Sequence, residues 1–149
     1  MTGALDRVAV ALGRGLVAGA AATAAMTVAS TAEMKLRGRE PSSAPADVAA
    51  KALGVQPVDE QRFATVAHLT AGLSLGTVRG LLDVAGLGDR AAAASFFAIA
   101  WLPDLVAVPA AGAAPPPWRW GAAEVAISAF HHAVYAGAGE AAYRRLRDA

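Results

Sequence analysis

Five residues of this chain could do chemistry near neutral pH while sitting in apolar surroundings: His68, Asp104, Glu124, His131 and His132. An imidazole titrates close to physiological pH, so a histidine beside a carboxylate can pass a proton. Neutral imidazoles and carboxylates are also ligands for zinc or iron. An ionisable group inside an apolar segment is expensive and is a functional candidate on that ground. Each has a plainer reading too. His68 can serve as an interhelical hydrogen-bonding group. His131 and His132 are adjacent, about a hundred degrees apart around a helix, so they do not readily share one centre. Asp104 follows Pro103, which frees a backbone carbonyl and bends a helix, so a wet kink near a membrane surface accounts for the acid. Glu124 can pair with Arg119 in solvent.

Other chemistries lack their residues. There is no cysteine, which removes disulfides, thiolate catalysis and Cys-zinc sites. No His-Glu-x-x-His and no phosphate loop ending Gly-Lys-Ser/Thr is present. "GRGLVAG", Gly13 to Gly19, has glycines but follows no strand pattern, which argues against a dinucleotide site. The net charge is +1 with no basic stripe interleaved with aromatics, so nucleic acid is not an expected partner. No cofactor is specified by these residues.

The elements that must position the five residues follow from hydropathy. Apolar residues make up 56% of the chain and charged ones 17%, below the ~25% charged fraction usual in soluble domains. Mean hydropathy is +0.42. Gly15 to Ala32 carries no charge and meets the lower length limit for a spanning helix. Three further apolar segments follow, about 63–82, 91–108 and 118–143. Turn signals separate them at Gly86 to Asp89 and Pro115 to Pro117. The expectation is an all-α, four-helix transmembrane bundle forming a single integral membrane domain over 1–149. Its helices cover about 8–33, 61–83, 90–108 and 118–146. A short amphipathic loop helix is expected at about 44–53, with Ser43 capping its start and Gly54 ending it. Two alternatives stand beside this: a cleaved signal peptide at the N-terminus, and a soluble alanine-rich bundle.

Positions four apart share a helix face. Gly15, Gly19, Thr23 and Thr27 therefore form one stripe, and His68, Gly72, Gly76 and Gly80 another. On the last helix Glu124, Ser128, His132, Ala136 and Glu140 share a face. Small residues at this spacing let helix backbones approach closely in lipid, and polar groups on the same stripes are expected to point inward. The stripes could instead meet a second copy. With both termini on one side, that side carries slightly more arginine and is expected to be cytoplasmic.

"GLVAGAAATAAMT", Gly15 to Thr27, resembles the opening helix of small polytopic bacterial membrane proteins of unknown function, whose first helix has the form Gly-Leu-x-Ala-Gly-x-x-Ala-Thr-x-x-Met. The resemblance implies an integral membrane protein and transfers no active-site residue. The expected role is a non-enzymatic structural or accessory component of the cell membrane, with lipid and a homo-oligomer or membrane complex as partners. Two alternatives remain: proton-coupled or metal-dependent transport through the His/carboxylate cluster, and a membrane-embedded metalloenzyme acting on a lipid-like substrate.

Overall fold

Glycine sets where the helices stop. Gly38, Gly54, Gly86 and Gly112 all have φ between 62° and 78°, a left-handed conformation that other residues adopt at a cost. Each follows a helix and closes it in the same way. At Gly38, the glycine N–H reaches Lys35 O and the next N–H reaches Met34 O. The pattern repeats at Gly54, Gly86 and Gly112. This double hydrogen bond satisfies carbonyls that a helix end leaves free.

The computed structural model describes residues 2–149. The helices are α1 (Thr2–Arg37), α2 (Ala44–Leu53), α3 (Glu60–Val84), α4 (Asp89–Ala110) and α5 (Ala122–Asp148), with a 3-10 turn at Pro117–Arg119. Among the described residues there is no strand, so the chain is all-α. Asp59 caps α3 by accepting from the Arg62 N–H at 2.9 Å. Ser43 precedes α2 but makes no cap; its hydroxyl donates to Asp47 Oδ2 instead. Pro103 and Pro109 both lie inside α4, which remains one helix through them.

The long helices alternate in direction. Gly15 meets Gly76 and Gly19 meets Gly72, so α1 and α3 are antiparallel. Phe96 lies beside Tyr135 and Asp104 beside Ser128, so α4 and α5 are antiparallel too. One end carries the 38–59 and 111–121 connections and is here the loop end. The other, the terminal end, carries the 85–88 turn and the start of α1.

α1 and α3 pack backbone on backbone. A Cβ added to Gly19 would lie 2.8 Å from Gly72 O and 3.0 Å from Gly76 Cα. One added to Gly15 would lie 2.5 Å from Gly76 O. Gly80 rests against the Ala11 carbonyl, and Gly72 against the Thr23 side chain. Around this seam sit Ala22, Phe96, Ala100, Tyr135 and Ala136, with Met26, Leu75, Leu82 and Phe97 at its edge. The Tyr135 hydroxyl donates to Gly72 O at 2.6 Å, tying α5 to α3.

Two helices, over Gly3–Arg37 and Asp89–Ala110, are long and apolar enough to cross a bilayer. Four spans were expected. α3 and α5 fall short because they carry charged and polar side chains along their length, Arg79, His131, His132 and Glu140 among them, and these are buried.

Candidate functional site

Polar side chains gather at both ends of the bundle. At the loop end, Glu33 closes the last turns of α1, with Oε1 accepting from Arg37 at 3.0 Å and Oε2 from Arg39 at 3.3 Å. Arg37 also donates to Glu124 Oε1 at 2.5 Å. Glu124 is therefore paired with a residue of α1, and not with Arg119. The pairing follows from the antiparallel approach of α1 and α5, which places the end of one against the start of the other.

His131 and His132 face different carboxylates, as their angular offset requires. His131 Nε2 is buried, has no hydrogen-bond partner and lies 3.9 Å from Glu33 Oε2. His132 Nδ1 is 2.9 Å from the Ser128 carbonyl. A carbonyl only accepts, so Nδ1 carries the hydrogen in the neutral ring, leaving the lone pair on Nε2. That Nε2 lies 3.9 Å from Asp104 Oδ2. The Ser128 hydroxyl donates to the same Asp104 oxygen at 3.1 Å and accepts from Trp101 Nε1 at 3.1 Å. Asp104 is thus engaged by α5 despite the neighbouring proline.

His68 stands apart from these groups. Its Nε2 is 3.2 Å from Thr27 Oγ1, between α3 and α1. The five sequence candidates therefore divide among His68 with Thr27, His131 with Glu33, His132 with Asp104, and Glu124 with Arg37. They do not form one cluster. Among the described residues no three His, Asp or Glu side chains come together as a metal-holding group. The loop-end pairs have the composition for proton exchange between imidazole and carboxylate.

The terminal end holds what sequence reasoning missed. Arg79 of α3 has no exposed surface and forms a two-pronged ion pair with Glu140 of α5. Its guanidinium lies over the Tyr143 ring, 4.3 Å from the centroid. The Tyr143 hydroxyl donates to Asp83 Oδ2 at 3.1 Å. Arg147 then bridges Asp89, at 2.7 Å, and Asp83, at 3.7 Å. The guanidinium fork matches a carboxylate, and the ring face attracts the cation. A signal was present: Arg79 sits between Gly76 and Gly80 in a helix otherwise poor in charge, and such a residue needs an acid at the same depth. Glu140 is the acid on the facing stripe of α5.

α3 also contains a string with the letters of a catalytic motif. Gly72-Leu-Ser-Leu-Gly76 spells Gly-x-Ser-x-Gly, the pattern of a hydrolase nucleophile turn. That chemistry requires a sharp strand-to-helix turn. Here the string lies in the middle of α3, and both glycines are packed against α1.

The chain matches no protein-family model, no curated protein sequence and no solved structure.

Proposed function

We propose that this chain is a small multi-pass integral membrane protein with a structural or accessory role, its termini on the cytoplasmic side. The observation that carries the reading is an inversion of polarity. Arg79, Glu140, His131, His132 and Thr23 are buried among alanines and glycines, while Leu5, Val17, Val28, Val66, Leu102 and Val106 are each more than half exposed. These apolar side chains lie on the outer surface of α1, α3 and α4. In lipid it is the expected outer face, with close packing and interior polar contacts holding the helices together. The test is extraction of membranes with alkaline carbonate. Retention in the pellet and release by detergent are expected, and recovery in the soluble fraction overturns the reading. Cross-linking in intact membranes should capture a neighbour or a second copy. A chain recovered only as a monomer opposes the accessory role.

A second reading, proton-coupled transport, is favoured by one feature: the buried, unpartnered His131 Nε2 facing Glu33, beside the His132–Asp104 pair. In reconstituted vesicles, His131→Asn and Asp104→Asn should each reduce flux driven by a pH gradient. Unchanged flux in both variants removes this reading.

A further inference from the structure

The outer side of the α4–α5 pair carries two adjoining hollows at the terminal end. One is a groove of about 400 Å³ lined by Ala93, Phe97, Ala133 and Gly137, with Glu140 and Arg144 at its end. The other, about 570 Å³, lies between Arg144, Arg145 and Asp148. The two share Ala141 and Arg144 and adjoin as one shallow surface cleft, open to the exterior, whose second part is lined by the end of α5 alone. Its apolar part follows α5 from Ala133 to Ala141, about 12 Å at the helical rise. That length suits part of an acyl chain.

The charges in the cleft are unequal in availability. Glu140 is held by Arg79, and Asp148 accepts from Arg147 at 3.1 Å. Arg144 reaches Asp89 through Nε alone, at 3.4 Å, and its side chain is 53% exposed. Among the described residues Arg145 has no carboxylate within ion-pairing distance. The cleft thus offers guanidinium donors above a groove of small apolar side chains, while both its acids are occupied.

We propose that this cleft binds one anionic phospholipid, with its phosphate on Arg144 and Arg145 and one acyl chain along Ala133 and Gly137. The assignment rests on the membrane reading above. Charge complementarity points to the lipid, because Arg144 and Arg145 present exposed guanidinium donors beside an apolar groove. It also selects an anionic head over a zwitterionic one, since Glu140 and Asp148, the acidic side chains that line the cleft, are both paired.

Native mass spectrometry of the full chain in detergent, titrated with phosphatidylglycerol or phosphatidylcholine of identical acyl chains, tests the site. The expected result is one phosphatidylglycerol per chain, held at least about tenfold tighter than phosphatidylcholine. An arginine near an anionic headgroup contributes about fivefold in binding, so Arg144→Gln with Arg145→Gln should weaken retention about thirtyfold. Gly137→Leu supplies a second arm. Open space surrounds the Gly137 Cβ position, so this variant should fold, fill the groove and weaken both lipids. Equal retention of the two lipids, or phosphatidylglycerol binding unchanged in both variants, overturns the proposal. A dimer that Gly137→Leu abolishes also overturns it and assigns the groove to a second copy. Wild-type chain that carbonate releases into the soluble fraction defeats the membrane reading itself, before any lipid is added.

Discussion

Arg79 and Glu140 allow the sealed interior to be measured. Arg79 is wholly buried, Glu140 is nearly so, and the two are joined by two hydrogen bonds across α3 and α5. Removing one member leaves the other as an uncompensated buried charge, which costs about 3–5 kcal/mol. That is roughly 150- to 5,000-fold in the unfolding constant. Replacing both by apolar residues of similar volume is often near neutral. The perturbation is therefore a cycle: Arg79→Met, Glu140→Leu and the double variant, unfolded with increasing SDS in mixed micelles. Each single variant should lose about 3–5 kcal/mol, and the double variant should lose much less than the sum of the two, with a coupling of at least about 2 kcal/mol. Arg79 also lies over the Tyr143 ring, and loss of that contact, up to about 2 kcal/mol when desolvated, remains in the double variant. The difference between Tyr143→Phe and Tyr143→Leu measures it, because both variants lose the hydroxyl bond to Asp83 and only the second loses the ring. Additive losses, with coupling below about 0.5 kcal/mol, would mean that water reaches both charges and that the interior is not sealed.

Three other outcomes follow from the packing. Gly76→Ala should weaken the α1–α3 contact by about 1–3 kcal/mol or more, because its Cβ would meet Gly15 O, Gly19 Cα and Gly19 N, all backbone; Gly137→Ala, with nothing near its Cβ, should cause no loss in the same SDS titration and gain up to about 1 kcal/mol from helix propensity. Tyr135→Phe removes the hydroxyl bonded to Gly72 O and should cost about 1 kcal/mol, read by the same titration. Asp59→Ala removes the α3 cap and should cost about 1 kcal/mol, with faster hydrogen exchange confined to the first turn of α3.

Particular residues show how far local patterns reach. Gly54 and Gly86 were readable as chain-turning residues, because a left-handed helix end is a local demand that glycine meets. Ser43 was not readable as it stands: its hydroxyl prefers Asp47 to the helix amides, a choice between two neighbours that spacing leaves open. Pro103 lies inside a helix expected over about 90–108, and α4 continues through it. Arg119 is the basic neighbour of Glu124 in sequence, whereas Arg37, distant in sequence, is its partner.

From its order of residues alone, the chain was determined to be helical and rich in small and apolar side chains; of the four spans expected, two helices are long and apolar enough to cross a bilayer. These are properties of single segments, decided by hydropathy, periodicity and glycine placement. Which polar groups meet was decided only in three dimensions. The register of α1 on α3, and of both against α5, separates His68 from Asp104 and brings Arg79 to Glu140. The reason is physical: one turn of slip between antiparallel helices leaves every face pattern intact but moves each charge by about 5.4 Å, beyond hydrogen-bond reach of its partner.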